Sequence, residues 1–205
     1  MMDTLYLVLV EIENMPIMSV MANATNVISE GEVQQMANAG NPEISEEIYR
    51  QVIYRKTAKL FEAAAQVGAC LAETDQDAMI AYGMHLGMAF QIADDVLDYQ
   101  GDIEVTGKNI GSDLAEGKMT LPLIFARDNA EPENASLIRK AITNKTGDNF
   151  GAILAVVNAS GGLSYSRQQA AKEVELAKHA LVGLPEGEYK NVLLDLAEFS
   201  ISRVN

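Results

Sequence analysis

In Phe90-Gln91-Ile92-Ala93-Asp94-Asp95-Val96-Leu97-Asp98, acids recur within an apolar stretch at helical spacing. On a helix Asp94 and Asp98 stand one turn apart with Asp95 beside them. Gln91, three and four residues before Asp94 and Asp95, shares their face. Met88, Ala89, Phe90, Ile92, Ala93, Val96 and Leu97 surround them, which predicts a helix packed on most sides. Between His85 and Lys108 there is no Lys, Arg or His to neutralise these carboxylates, and Asp102 adds another acid just beyond. Like charges at this spacing cost roughly 0.2–0.5 kcal/mol per pair on an exposed helix, and more when partly buried. A hard, oxygen-binding cation answers such a cluster, and Mg²⁺ shared between carboxylates and a substrate phosphate is the common arrangement. A solvated acidic helix end is the other reading of a bare D-D-x-x-D, and these residues alone leave both open.

Helical periodicity extends outward from this stretch in both directions, and strand patterns are almost absent, so the chain reads as an all-α bundle forming a single domain over 1–205. Upstream, Ile17, Val20, Met21, Ala24, Val27, Ile28 and Gly31 mark one face of a helix over 17–35, ended by Asn38-Ala39-Gly40-Asn41-Pro42. Ser45 is placed to cap a second helix, with Glu46 and Glu47 in its first turn, running to about residue 71. Its predicted apolar stripe is Tyr49, Ile53, Leu60, Ala63, Val67 and Leu71, with Glu62 on the opposite face. Thr74 and Asp77 have capping-box spacing for the helix that carries the aspartates, expected to end near Tyr99. A glycine-rich loop follows over 101–118, then helices from Thr120-Leu121-Pro122 and over 132–144, 150–160, 164–182 and 189–203. The last of these has apolar Val192, Leu193, Leu196, Phe199 and Ile201.

The charge balance excludes several functions. Lys plus Arg total 15 and Asp plus Glu 29, and the resulting net charge of −14 repels nucleic acid and anionic lipid. A single cysteine, Cys70, excludes an internal disulfide framework and a multi-cysteine zinc site. No apolar run is long enough for a transmembrane segment, and the start lacks the basic region of a signal peptide, so the expected location is cytoplasmic.

Cations flank the aspartates in sequence. Lys108 and Lys118 lie on the glycine-rich loop in Thr106-Gly107-Lys108 and Glu116-Gly117-Lys118, where glycines allow close approach of an anion. Lys56 falls within the apolar stripe of its helix, and a lysine there needs an anionic partner, either a ligand or a glutamate, unless it snorkels outward. Thr57, at the edge of the same face, can donate to a phosphate oxygen. Together these groups suggest a diphosphate ligand with a hydrophobic tail.

The run from Gly87 to Tyr99, followed by Thr106-Gly107-Lys108-Asn109-Ile110-Gly111-Ser112-Asp113-Leu114-Ala115-Glu116-Gly117-Lys118-Met119-Thr120-Leu121-Pro122-Leu123, resembles the second aspartate-rich region of trans-polyprenyl diphosphate synthases. Tyr54-Arg55-Lys56-Thr57-Ala58-Lys59-Leu60-Phe61 resembles their lysine-threonine helix, and Asn26-Val27-Ile28-Ser29-Glu30-Gly31-Glu32-Val33 is similar as well. The resemblance runs from about Met18 to the C-terminus and is strongest toward the bacterial octaprenyl members, which make the quinone side chain.

The resemblance implies an isoprenoid-synthase-type helical bundle and a prenyltransferase that condenses isopentenyl diphosphate with an allylic diphosphate. It implies Mg²⁺ at Asp94, Asp95 and Asp98. It places Lys56, Lys108 and Lys118 on the allylic diphosphate, with Gln91 and Thr57 near the first atoms of the tail. Asp94, Asp95, Lys56 and Lys108 form the implied catalytic set, and a homodimer is the implied assembly. The family's first aspartate-rich motif, its arginine pair and its upstream isopentenyl site have no counterpart, since Asp94-Asp95 is the only Asp-Asp dipeptide here and 1–17 is atypical. The expectation is therefore a bundle truncated at the N-terminus. The alternative function is a non-catalytic or partner-dependent subunit of a heteromeric prenyl synthase.

Overall fold

The computed structural model describes residues 11, 13–100 and 110–202, and among these it is helical with no strand. Lys108, Asp102 and the first half of the glycine-rich loop lie outside the described residues. Helix α1 (Met15–Asn38) begins at Asn14, whose side chain accepts from the Ile17 amide at 3.1 Å, and it buries Ile17, Ala24 and Gly31 as the periodicity predicts. Helix α2 (Glu46–Ile53) is capped by Ser45 as expected, with its hydroxyl accepting from the Ile48 amide.

The long helix expected from Ser45 to about residue 71 is interrupted. A π-helical turn (Tyr54–Ala58) joins α2 to α3 (Lys59–Ala72). Its wider i→i+5 spacing holds more residues per turn, so the faces downstream lag behind the predicted stripe. Leu60 and Leu71 consequently point to solvent, while Glu62, expected outside, is buried and accepts from the Tyr54 hydroxyl at 2.9 Å and from Lys59.

Helix α4 (Gln76–Leu97) carries the aspartates. Asp75, not Thr74, is its cap, accepting from the Ala78 amide at 3.1 Å. Thr74 is already used by the preceding helix end: its amide donates to the Ala69 carbonyl across Glu73, which takes a left-handed φ of 49°. After the undescribed stretch come the single turn α5 (Ser112–Ala115), then α6 (Leu121–Asn129), α7 (Pro132–Asn144), α8 (Phe150–Ser160), α9 (Gly162–Ala180) and α10 (Glu188–Ser202).

Helix α4 lies at the centre, packed most extensively on α9 and α3. Its Leu86, Ala89, Ile92, Ala93 and Val96 join one continuous apolar core with Leu121, Ile138, Val157, Leu163, Val174 and Leu181. In helix α10 Ala197, Ser200 and Ile201 face inward, while the apolar Val192, Leu196 and Phe199 are exposed. The small residues of its buried face carry little apolar signal in the sequence. No helix among the described residues is long and apolar enough to cross a membrane.

Two close approaches set the geometry around the aspartates. A Cβ on Gly31 of α1 would lie 2.7 Å from the Lys56 backbone nitrogen, and one on Gly87 of α4 would lie 2.5 Å from the Ala58 Cα. Glycine at these positions lets α1 and α4 press on the π turn from two sides, which brings Lys56 and Thr57 up to the aspartate helix.

Candidate functional site

Helices α1, α2 and α4, the π turn and the segment after α5 enclose a cavity of about 310 Å³. Lys56, Thr57, Gln91, Asp94, Asp95 and Lys118 all line it, so the structure gathers six of the residues singled out by sequence. It adds Tyr49, Gln35, Asn38 and Asp113, to which the sequence assigned no part in a site.

Asp95 is the most deeply held acid, only 4% exposed. The Tyr49 hydroxyl donates to its Oδ2 at 2.7 Å, and the Gln91 Nε2 donates to its Oδ1 at 2.8 Å. The Thr57 hydroxyl donates in turn to the Gln91 Oε1 at 2.8 Å. Thr57 and Gln91 are thus a relay onto Asp95. Burial pushes the Asp95 carboxyl well above the usual carboxylate range, and the charge of Asp113 adds to this, against the pull of the hydrogen bonds from Tyr49 and Gln91. The Tyr49 hydroxyl is itself pushed upward by burial and by Asp95, so it remains a donor.

Asp113 is raised by burial and by Asp98, with Lys118 acting in the opposite direction. The Lys118 ammonium sits 3.1 Å from Asp113 and 2.7 Å from Glu116. Loss of solvent disfavours its charge, but the bonds to Glu116 and Asp113 outweigh that and raise its pKa. Lys56 does not stand unpartnered in the interior. Its ammonium donates to the Gln35 Oε1 at 2.6 Å and pairs with Glu32 at 3.0 Å, on the rim of the cavity and tied to α1. Among the described residues, the Asn38 side-chain nitrogen is buried without a hydrogen-bond partner, a donor still available to an anion.

Asp98 stands apart from this group and does not line the cavity. Its Oδ1 accepts from the Ser112 amide at 3.1 Å and hydroxyl at 2.8 Å, and its Oδ2 accepts from the Asp113 amide at 3.1 Å. These bonds fix the start of α5, where Gly111 takes a left-handed φ of 79° and donates its amide to the Asp98 carbonyl. Asp98 therefore positions Asp113, and through it Lys118. The adjacent Ser112-Asp113 pair was in view in the sequence, but only the turn of the chain shows that it meets Asp98.

The donor set suits a hard cation. Carboxylate, amide and hydroxyl oxygens line the cavity, and among the described residues no imidazole or thiol does. Among the described residues no three acidic, histidine or cysteine side chains converge as a metal cage. The described residues therefore offer part of a coordination shell for a hard divalent cation, of the kind completed by phosphate oxygens and water. Two lysines, an unpartnered amide donor and raised carboxyls meet in this one cavity.

The fold is the helical bundle of the isoprenyl synthases. The chain belongs to the polyprenyl synthetase family, whose model matches residues 1–159. It is 45% identical over 197 residues to an octaprenyl diphosphate synthase of Haemophilus influenzae and 44% identical over 194 residues to that of Escherichia coli. These alignments cover 94% and 93% of this chain but 60% of each relative. Among solved structures, it matches a polyprenyl synthase of Caulobacter crescentus complexed with calcium and isoprenyl diphosphate. The TM-score is 0.92 and the identity 38%, over 98% of this chain and 62% of that one. A decaprenyl diphosphate synthase of Rhodobacter capsulatus matches with a TM-score of 0.90 and 36% identity, over 98% of this chain and 63% of that one. The chain thus spans about 60% of the length of the curated relatives it matches.

Proposed function

We propose that this chain supplies the allylic-diphosphate half of a long-chain polyprenyl diphosphate synthase of octaprenyl type, acting in isoprenoid quinone biosynthesis. The observation that carries this reading is the meeting of Asp94 and Asp95 with Lys56 and Lys118 around one cavity that Ile44, Val52, Ile53 and Met119 also line. Asp94 and Asp95 are the residues that would hold Mg²⁺, which supplies charge shielding to the diphosphate as it leaves. Lys56, Lys118 and the Asn38 amide bind phosphate oxygens, with the two lysines exchanging their present carboxylate partners for the ligand. Lys108 joins them by its place in the sequence motif. Asp98 serves by holding the Ser112–Ala115 turn rather than by lining the cavity. Fixed cations favour departure of the diphosphate, and the allylic carbon then bonds to the double bond of isopentenyl diphosphate with loss of a proton. The expected setting is the cytoplasm, with a homodimer as the assembly.

A second reading is a non-catalytic or partner-dependent subunit of a heteromeric prenyl synthase. Calorimetry of a non-hydrolysable allylic diphosphate into the 205-residue chain, with and without Mg²⁺, tests the first step. Mg²⁺-dependent binding lost in Asp94→Ala and Lys118→Ala supports the reading, and absence of binding by a folded wild-type chain overturns it. Elongation assayed with isopentenyl diphosphate then separates an active synthase from a partner-dependent subunit.

A further inference from the structure

The cavity contains a phenol that the proposed chemistry does not use. Tyr49 is 4% exposed and sits on α2, 46 positions before Asp95, yet its hydroxyl meets the Asp95 Oδ2 at 2.7 Å. A carboxylate normally turns freely about its last torsion, which is broad and roughly two-fold. That freedom is removed when donors from different elements take each oxygen. Gln91 binds Oδ1 from one turn earlier on α4, and Thr57 holds the Gln91 amide from the π turn, so the amide nitrogen faces the acid. We propose that Tyr49 is a positioning residue of the metal site: with the Thr57–Gln91 relay on the other oxygen, it locks the plane of the Asp95 carboxylate for cation binding.

This inference rests on the proposed role of Asp95 as a metal ligand and adds the group that orients it. An acid between Asp113 and Asp94 is repelled by both, and two neutral donors hold it in place without cancelling the charge that a cation needs. A lysine in place of Tyr49 would neutralise Asp95 and compete with the metal. A phenol does neither.

The test uses the whole 205-residue chain, Mn²⁺ with inorganic diphosphate as the probe, and free Mn²⁺ measured by electron paramagnetic resonance. Tyr49→Phe keeps the ring and removes only the donor, and Thr57→Val releases the other end of the relay. Each is expected to weaken Mn²⁺ binding roughly 10- to 100-fold. In an Asp95→Asn background, Tyr49→Phe should have no further effect, which a merely structural tyrosine would not show. A crystal structure of Tyr49→Phe should show the Asp95 carboxylate rotated from its wild-type plane. Unchanged Mn²⁺ affinity in Tyr49→Phe and Thr57→Val, with a binding-competent wild type, overturns the positioning role and leaves the proposed function standing. A wild-type chain that binds no Mn²⁺ with diphosphate overturns both.

Discussion

Asp98 and Ser112 are bound twice: one carboxylate oxygen accepts both the amide and the hydroxyl of Ser112, at 3.1 and 2.8 Å. The end of the aspartate helix thereby becomes the cap of the next helical turn and sets where Asp113 and Lys118 stand. Asp98→Ala removes three acceptor contacts and is expected to cost about 1–3 kcal/mol. Ser112→Ala, which keeps the amide contacts, should cost about 1 kcal/mol or less. Urea denaturation gives the energies. Amide exchange should accelerate at residues 112–115 in Asp98→Ala, and unchanged exchange there would contradict the capping role.

Asp95 makes stability depend on pH with an unusual sign. Its carboxyl is raised from the ordinary value to about 8, chiefly by burial. The folded state therefore holds a proton that the unfolded state has released, and stability falls as pH rises from about 4 toward about 8. Between about pH 5 and about pH 8 the loss is on the order of a few kcal/mol without divalent ions. Asp95→Asn should flatten this slope, and Mg²⁺ with diphosphate should reduce it in the wild type. Urea midpoints across that range check both, and an equal slope in Asp95→Asn would assign the effect to other groups.

Gly31 and Gly68 offer opposite outcomes for the same substitution. A Cβ on Gly31 meets the backbone of Arg55 and Lys56 at 2.9 and 2.7 Å, neither of which can swing aside. Gly31→Ala is expected to destabilise by about 1–3 kcal/mol and to weaken diphosphate binding by displacing Lys56. A Cβ on Gly68 meets nothing within 4 Å, so Gly68→Ala in α3 should stabilise by about 0.5–1 kcal/mol. Thermal melts of the two variants settle the contrast.

Arg50 ties α2 to α9 through Glu173 at 2.8 Å and Gln169 at 2.8 Å, while His85 of α4 holds the other Glu173 oxygen at 2.7 Å. Glu173 is buried, and its pKa is lowered because His85 and Arg50 outweigh the effect of burial. Arg50→Met removes one counter-charge and should cost about 2 kcal/mol, measured in urea near neutral pH. Glu173→Gln combined with Arg50→Met should recover part of that loss, because the buried charge is gone. A double variant less stable than Arg50→Met would contradict this account.

The local signals were well written in the residues. The Ser45 cap, the aspartates of α4 and the helix restart at Leu121-Pro122 all depend on neighbours within one turn, and all are legible without a fold. Lys56, Thr57, Gln91, Asp94, Asp95 and Lys118 could likewise be singled out, because charged and polar groups on apolar faces stand out from their surroundings.

The π turn was not legible: Tyr54–Ala58 has no breaker, and the helices that approach it closely, at Gly31 and Gly87, are distant in the chain. The outward face of α10 was hidden for a similar reason, since its packing uses Ala197 and Ser200. Tyr49 looked like one more core residue until the fold carried its hydroxyl across 46 positions to Asp95. Asp98 looked equivalent to Asp94 and Asp95 until the returning chain occupied it through Ser112 and Asp113. The sequence by itself determined which groups are available, because residue type and helical spacing are local properties. Only the tertiary structure decided which acid faces the cavity and which holds the loop, because partners distant in the chain settle where each carboxylate finds its donors.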